Sequence, residues 1–188
     1  MTRVICRAVK EKQKRDINYI DRKIPNVEWV FDKNKSAFDT FLRALKKSNN
    51  KAVVFMECDV LLCKDFLRRL ESEIEKRPNE ILQFFSMRKD DLIIGTRRMN
   101  GSTFSMNQCH YFPKGMTNRL YDYYSQWIKT ERGKKNPNGY DYMMADFFKE
   151  FKYSYWIICP NLVNHRKEKS LINEKRSSKR QSKTYESI

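Results

Sequence analysis

The chain has 188 residues, of which 40% are hydrophobic and 13% aromatic, and this suffices for one domain with a sizeable core. Lys and Arg number 39 against 23 Asp and Glu, which gives a formal net charge of +16. Such a charge favours polyanionic partners, namely nucleic acid, anionic lipid or phosphorylated small molecules. No apolar run approaches the roughly 20 residues of a membrane span, and the N-terminus does not have the pattern of a signal peptide.

Five cysteines are scattered along the chain, odd in number and without the paired CxxC spacing of many zinc sites. This usage favours reduced thiols and argues against a disulfide framework or a zinc centre. Together with the lack of a signal peptide, it predicts a cytoplasmic protein.

In the first half of the chain, short apolar strands alternate with helical patterns. Strands are predicted at residues 3–7, 27–31 and 52–56, and helices at residues 10–23, 37–47 and 64–76. Ser36 is the expected N-cap of the second helix. Strands that alternate with helices and short turns are typical of crossover connections, so the pattern predicts a parallel sheet flanked by helices.

The second half is less regular. Strands are predicted at residues 81–85, 104–112 and 155–159, helices at 114–129 and 140–151, a loop or hairpin at 87–103, and a mobile basic loop at 131–139. Beyond Ile172 apolar residues nearly vanish and basic residues dominate. This shift predicts a folded domain over residues 1–172 and a basic C-terminal tail over residues 173–188.

Two acids, Glu57 and Asp59, follow the continuous apolar run at residues 52–56. Such a run reads as a strand buried on both faces. Open α/β sheets bind ligands at the carboxyl ends of their strands. Two carboxylates with substrate phosphates are a typical way to hold Mg²⁺ or Mn²⁺. The alternative is that both acids are turn or helix-capping residues.

Three blocks of sequence resemble motifs of GT-A glycosyltransferases, which use nucleotide-sugar donors. The blocks are Val53-Val-Phe-Met-Glu-Cys-Asp-Val-Leu-Leu-Cys-Lys-Asp-Phe66, Asn107-Gln-Cys-His-Tyr-Phe-Pro-Lys114 and Cys159-Pro-Asn-Leu-Val-Asn-His-Arg-Lys-Glu-Lys-Ser-Leu-Ile172. They look like the strand with the acidic DxD motif, the strand with a Pro-Lys ending, and the closing Pro-x-Leu-Val-x-His-x-x-x-x-Ser segment. The chain departs from the acidic motif, because Glu57-Cys58-Asp59 stands in place of Asp-x-Asp or Glu-Asp-Asp.

Over residues 3–172 the sequence is therefore similar to small GT-A enzymes, especially compact versions that bacteriophages encode. The resemblance implies an α/β fold, a single GT-A-like, Rossmann-related domain with a mostly parallel central sheet flanked by helices. It implies that Asp59 ligates Mn²⁺ or Mg²⁺ on the donor diphosphate, with Glu57 near the ribose or reaching the ion through water. His165 matches the position of a third ligand; its alternative role is a surface or nucleic-acid contact.

Further roles follow from the same resemblance. Asp141 matches the acid that opens the late helix and is the expected catalytic base of an inverting reaction, with Asp146 in reserve; Asp141 is alternatively a helix N-terminal acid favoured by the macrodipole. The remaining candidates for binding the donor, expected to be a UDP-sugar, are Arg7, Asp32, Arg43, Arg166 and Lys169.

The acceptor is open to three hypotheses. The first is a hydroxymethylated pyrimidine in double-stranded phage DNA, in the host cytoplasm, with Arg132, Lys134, Lys135 and Tyr140 contacting the DNA and aromatic rings stacking on a flipped base. The second is a cell-surface saccharide or lipid-linked sugar, with the basic surface held on an anionic membrane. The third is a non-catalytic nucleic-acid-binding protein in which the acids are structural.

Overall fold

A seven-stranded sheet lies between two layers of helices in the computed structural model, which describes residues 2–166 and 180–186. The strands of this sheet are β1 (Val4–Ala8), β2 (Glu28–Phe31), β3 (Val53–Glu57), β5 (Ile81–Gln83), β6 (Arg97–Asn100), β7 (Cys109–Phe112) and β8 (Ser154–Ile157), in the order β2-β1-β3-β7-β5-β8-β6. A second, two-stranded sheet pairs β4 (Val60–Leu62) with β9 (Val163–His165).

Seven helices accompany these strands within the described residues. They are α1 (Lys14–Lys23), α2 (Ala37–Lys47), α3 (Phe66–Lys76), α4 (Asp91–Ile94), α5 (Met116–Trp127), α6 (Glu131–Lys135) and α7 (Tyr140–Glu150). A short 3₁₀ turn, Gly101–Thr103, follows β6. As the sequence predicts, Ser36 caps α2, because its hydroxyl accepts a hydrogen bond from the backbone N–H of Asp39.

The sheet is mixed rather than wholly parallel. Strands β1, β2, β3, β5 and β8 run in one direction, whereas β7 is antiparallel to both β3 and β5, and β6 is antiparallel to β8. The prediction of an α/β fold with a mostly parallel sheet is confirmed in this sense, since five of the seven strands run in the same direction. The chain between β5 and β7 holds α4, β6 and the 3₁₀ turn but no long crossover helix, in keeping with the antiparallel pairing of β5 with β7.

Alternation along β3 sorts its side chains between the two helical layers. Val53 and Phe55 pack on the side of α2, α5 and α7, while Val54 and Met56 pack on the side of α1 and α3. All four are fully buried, and each such burial stabilises the fold by about 1.5–3 kcal/mol. The same alternation directs Glu57, the last residue of β3, toward α7.

Three segments differ from the sequence-based prediction. The region 87–103 contains α4 and β6, and the strands β4 and β9 were not predicted. The basic segment at 131–139 contains α6 instead of a wholly irregular loop. Thr130 caps α6 by accepting from the N–H of Gly133, and Gly133 lies so close to the carbonyl of Trp127 that a Cβ would come within 2.2 Å of it. None of the described helices is long and apolar enough to cross a bilayer.

The thiols provide a direct test of this packing. Burial raises the pKa of all five thiols, namely Cys6, Cys58, Cys63, Cys109 and Cys159, and only Cys159 is partly accessible. Because the thiolate is the reactive form, we expect a thiol reagent at pH 8 to modify at most Cys159 within minutes, and all five cysteines after denaturation. Rapid modification of three or more thiols in the native protein would contradict this packing, and Cys159→Ser should abolish the native-state reaction.

Candidate active site

The two predicted acids lie at the carboxyl edge of the main sheet. Glu57 ends β3, and Asp59 stands in the short connection from β3 to β4. Because β4 pairs antiparallel with β9, with Val60 opposite His165, the small sheet brings His165 next to Asp59. The imidazole Nε2 of His165 is 3.3 Å from Oδ2 of Asp59. The predicted meeting of Asp59 and His165 is thus present in the fold.

The hydrogen bonds of His165 determine which of its nitrogens is available. Nδ1 lies 2.6 Å from the carbonyl oxygen of Arg166, which only accepts, so Nδ1 carries a proton. In the neutral ring, Nε2 then offers a lone pair beside Asp59. Burial lowers the pKa of His165, but hydrogen bonding to Asp59 and the charge of its carboxylate outweigh this and raise it above its usual value. Oδ1 of Asp59 is buried and has no hydrogen-bond partner among the described residues.

The end of the basic tail folds back over this pair. A guanidinium nitrogen of Arg180, Nη2, lies 3.0 Å from Nε2 of His165. Residues 180–186 are held by further bonds: the hydroxyl of Tyr185 donates to the carbonyl of Leu62 at 3.0 Å, and the hydroxyl of Ser182 donates to Asn161 at 2.7 Å. Arg180 therefore supplies an internal positive charge beside the Nε2 lone pair of His165 that a metal ion would use. The predicted domain boundary at residue 172 falls outside the described residues.

This position of Arg180 predicts competition with an added cation. A positive charge about 4 Å away opposes a second one by about 1 kcal/mol even in water, so we expect Arg180→Ala to tighten Mn²⁺ binding about five- to tenfold. Isothermal titration calorimetry measures this directly. Lys183→Ala removes one exposed charge from the same segment and should change the affinity less than twofold. Equal affinities for Arg180→Ala and wild type would show that Mn²⁺ does not bind beside His165.

Arg166 is held from the opposite side by α1. Its Nε is 3.0 Å from Oδ1 of the buried Asp16, and its guanidinium lies 4.7 Å from the ring centre of Tyr19. Burial raises the pKa of Asp16 despite the opposing charge of Arg166. The backbone N–H of Arg166 donates to the carbonyl of Asp59 at 2.9 Å, so Arg166 lies next to Asp59, but its guanidinium is already paired. Lys169 lies outside the described residues.

Glu57 points away from Asp59, into the layer formed by α2 and α7. The hydroxyl of Tyr140 donates to its Oε1 at 2.7 Å, and the guanidinium of Arg7 lies 3.8 Å from the same oxygen. Burial and the charge of Asp59 raise the pKa of Glu57 above its usual value, against the opposing effect of Arg7. No three His, Cys, Asp or Glu side chains in residues 2–166 and 180–186 converge as a metal site, so the structure brings together two of the three predicted ligands.

Arg7 and Tyr140 are interior residues. The guanidinium of Arg7 donates to the carbonyl of Asn107 at 3.2 Å and lies 4.8 Å from the ring centre of Tyr140. The ring of Tyr140 stacks on Phe41, with centroids 4.7 Å apart. Burial raises the pKa of Tyr140 well above its usual value, which keeps its hydroxyl protonated. The expectation that Tyr140 stacks on a nucleic-acid base does not fit this position, because Tyr140 is only 8% exposed and its ring packs against Phe41 and Arg7.

Sequence reasoning missed several polar side chains beside Glu57. Asn107 and Gln108 directly precede β7 and are 5% and 6% exposed, yet Oδ1 of Asn107 and Oε1 of Gln108 have no partner among the described residues. The backbone N–H of Glu57 donates to the carbonyl of Gln108 at 2.9 Å, which fixes the register. Because β7 is antiparallel, its amino end meets the carboxyl end of β3. Only knowledge of that direction would have indicated these two residues.

The two predicted catalytic acids on α7, Asp141 and Asp146, differ in whether their carboxylates have partners within the fold. Asp141 is half-buried, and its carboxylate forms no hydrogen bond or ion pair with any described residue. Asp146 accepts a hydrogen bond from the indole of Trp127 at 2.9 Å and one from Arg132. Asp141 lies next to Tyr140, which reaches Glu57, whereas Asp146 joins α5, α6 and α7. Of the two acids, Asp141 is therefore the one whose carboxylate has no partner among the described residues, and it follows directly in sequence a residue that contacts Glu57.

Asp32 and Arg43 stabilise the turn between β2 and α2 through hydrogen bonds. Asp32 follows β2 at the carboxyl edge, and its carboxylate accepts from the backbone N–H groups of Asn34 and Ser36 at 3.1 and 3.2 Å. Arg43 pairs with Asp39 at 2.8 Å and donates to the carbonyl of Phe31 at 2.9 Å. Asp32 is thus located where a ligand could contact it, whereas the guanidinium of Arg43 is used within the fold.

The basic residues of α6 are exposed but mostly paired. Arg132 binds Asp146 and lies 4.8 Å from the ring centre of Tyr142. Lys134 is 3.3 Å from Glu131. Lys135 is exposed and forms no salt bridge with any described residue. Of the predicted DNA contacts, Lys135 is the one with an uncommitted charge.

Two clefts of the described surface lie away from Glu57. One, of about 460 Å³, is lined by Tyr19, Leu62 and the start of α3. The other, of about 210 Å³, lies between α3 and the segment after β8. The acids at the end of β3 are the better site candidate, because the unpaired buried polar atoms collect there and neither cleft contains such groups.

Comparison with known proteins adds little to this geometry. No protein-family model matches the sequence, and no curated protein matches it. Among solved structures, the chain is similar to the "Crystal Structure of A197 from STIV", with 13% identity over 88% of this chain and 85% of that chain, at a TM-score of 0.49. Likeness at that level carries no argument about function, so the site must be interpreted from its own residues.

Proposed function

We propose that the protein is a nucleotide-sugar-dependent glycosyltransferase that acts at the carboxyl edge of its sheet. The observation that carries this proposal is the contact between Asp59 and His165, 3.3 Å apart, directly beyond β3. Ligand sites of α/β sheets lie at this edge. The GT-A assignment, the UDP-sugar donor and the inverting outcome rest on the three sequence blocks.

The residues present fit a divalent cation. Asp59 has a buried oxygen without a partner among the described residues, and the proton on Nδ1 of His165 leaves a lone pair on Nε2, which a cation would use after displacing Arg180 from its position 3.0 Å away. Two protein ligands completed by donor phosphates are typical of Mg²⁺ and Mn²⁺. When bound, such an ion would neutralise charge on the departing nucleoside diphosphate. Arg166, adjacent to Asp59, is placed to contact the same phosphates if it leaves Asp16.

The side chains toward α7 would form the acceptor side. Asp141 is the proposed base, since its carboxylate is uncommitted and an attacking hydroxyl must lose its proton. Glu57 is held by Tyr140 and Arg7, so it is suited to orient a bound sugar and is less available to take a proton. The amide oxygens of Asn107 and Gln108 are buried and have no partner among the described residues, so they would accept hydrogen bonds from sugar hydroxyls only after the side chains that cover them move.

A hydroxymethylated pyrimidine in DNA remains the first acceptor proposed. The net charge of +16 and the exposed Lys135, which forms no salt bridge with any described residue, support it. The burial of Tyr140 and the pairing of Arg132 leave fewer DNA contacts than the sequence suggested. A second acceptor class, a lipid-linked sugar, is favoured by one specific observation, the exposed apolar side chains of α4.

A transfer assay tests both the reaction and the acceptor. The protein is incubated with Mn²⁺, a panel of UDP- and GDP-sugars and duplex DNA with or without hydroxymethylated pyrimidines, and the DNA is digested to nucleosides for mass spectrometry. A sugar mass on the modified nucleoside would support the DNA acceptor. Release of nucleotide without DNA product would keep the glycosyltransferase and favour the lipid-linked acceptor. DNA binding without turnover of any donor would favour a non-catalytic binding protein.

A further inference from the structure

The short helix α4 has the reverse of the polarity expected for a surface helix. Its polar first residue, Asp91, is 1% exposed, whereas Leu92, Ile93 and Ile94 are 66%, 88% and 58% exposed. Surface helices normally bury their apolar residues and expose polar ones. Single exposed apolar residues are common, but three in succession are typical of a contact surface. We call Leu92, Ile93 and Ile94 the α4 patch.

The α4 patch is held firmly in this orientation. Oδ1 of the buried Asp91 is 2.7 Å from a guanidinium nitrogen of Arg97, which also binds Asp90 at 3.0 Å. The next turn is fixed by Thr96, whose hydroxyl donates to the carbonyl of Cys159 and accepts from its N–H, both at 2.9 Å. The polar side chains thus anchor α4 inward, and the apolar ones have no place in the core.

The α4 patch lies on the same edge of the sheet as the candidate active site. Strand β8 runs parallel to β5, and β5 runs in the same direction as β3, because both are antiparallel to β7. Cys159 follows β8 as Asp59 follows β3, so both lie beyond carboxyl ends. The hydrogen bonds between Thr96 and Cys159 therefore place α4 at the edge where Asp59 and His165 meet.

The charge around the α4 patch identifies the kind of partner. Lys89 is exposed and forms no salt bridge with any described residue. Asp90 and Asp91 both pair with the single guanidinium of Arg97, and the charge of Lys89 offsets the carboxylate that Arg97 leaves unbalanced. A second copy of the chain would bring another +16 against this surface, which opposes self-association. Exposed apolar side chains with no excess of negative charge around them, on a chain whose net charge is +16, are complementary to an anionic lipid surface.

We infer that the α4 patch inserts into an anionic membrane surface, with Lys89 at the headgroups, and so holds the candidate active site against the membrane. This inference rests on the proposed function only in what it says of the acceptor, which would be a lipid-linked sugar at that surface. The membrane contact itself requires neither donor nor metal.

Vesicle sedimentation with the full chain tests the inference. We expect binding to vesicles of 30% phosphatidylserine in phosphatidylcholine, with little binding to phosphatidylcholine alone and a steep loss at 0.5 M NaCl. The triple variant Leu92→Ser, Ile93→Ser, Ile94→Ser should lower the partition coefficient at least about tenfold, and Ile93→Asp alone about as much. Phe151→Ser is the control, because Phe151 is an exposed apolar residue outside the α4 patch. It directly follows the C-terminal end of α7 and is 45% exposed in the wild type, so its replacement should change the partition coefficient less than twofold.

Asp59→Asn should bind vesicles as wild type does, which separates this inference from the proposed reaction. Equal vesicle binding by the wild type and the triple variant would overturn the inference that the α4 patch binds membranes. A concentration-dependent dimer that the triple variant abolishes, measured by analytical ultracentrifugation, would overturn it in favour of contact between copies. Strong binding to duplex DNA that the triple variant loses would overturn it in favour of nucleic acid.

Discussion

Replacing Asp59 with Asn should lower kcat/KM for turnover of the nucleotide-sugar donor by about 10²- to 10³-fold, the usual cost of removing one charge-stabilising group from a transition state. Asn has the same size but lacks the negative charge beside His165. The fold should tolerate the change, because Asp59 also raises the pKa of Glu57 and of Asp16. The variant loses the repulsion between the Asp59 carboxylate and the carboxylates of Glu57 and Asp16, and this gain in stability offsets the lost contact to His165. Nucleotide release with Mn²⁺ and the melting temperature measure the two effects.

Asp65→Asn is the matched control for Asp59→Asn. Asp65 belongs to the same stretch of chain, and its carboxylate is half-exposed and paired with Arg68 at 3.0 Å. Its φ of 53° is one that Asn adopts readily, so the variant should fold and keep its turnover within about twofold. If Asp59→Asn turned over donor as fast as wild type, the assignment of Asp59 to a metal site would be wrong.

Replacing Asp141 with Asn should lower kcat for transfer by about 10²- to 10⁴-fold, the range expected for loss of a general base. Asp141 forms no bond within the described residues, so its replacement should leave the free energy of unfolding nearly unchanged. Donor binding should also persist, because Asp59 and His165 are untouched. Steady-state kinetics with saturating donor separate the effect on kcat from any effect on KM.

Asp146→Asn, one acid further along α7, should behave in the opposite way. Its carboxylate holds Trp127 and Arg132, so its replacement should lower the free energy of unfolding by about 1–3 kcal/mol with little change in kcat. Chemical denaturation measures the stability. If Asp146→Asn abolished transfer in folded protein while Asp141→Asn remained active, the roles of the two acids would have to be exchanged.

The first half of the chain could be predicted well because its signals are local. The apolar run at β3, the helical spacing of Phe38, Phe41 and Leu45 in α2, and the capping by Ser36 each depend on neighbouring residues only. The direction of β7 and the pairing of β4 with β9 depend on strands far apart in sequence, and three-residue strands carry almost no periodicity. These features were therefore missed.

The site was predicted in part for the same reason. The position of Glu57 and Asp59 follows from the end of a strand, and the approach of His165 followed from a family resemblance. The partners of Glu57 were not foreseen, because whether Tyr140 and Arg7 are buried depends on how α7 packs against α2. A charged or aromatic residue in the sequence looks equally available for binding until that packing is known.

The pairing of β4 with β9 has a consequence for how the protein is made. Roughly 100 residues separate the two strands, and synthesis at about 5–20 residues per second would take about 5–20 s to pass from one to the other. Throughout that interval β1, β2 and β3 are complete, since their connections are short. Asp59, however, has neither His165 nor Arg180 beside it. A growing chain on the ribosome therefore carries the acid without its histidine, and the two halves of the site join only after β9 and Arg180 have been synthesised.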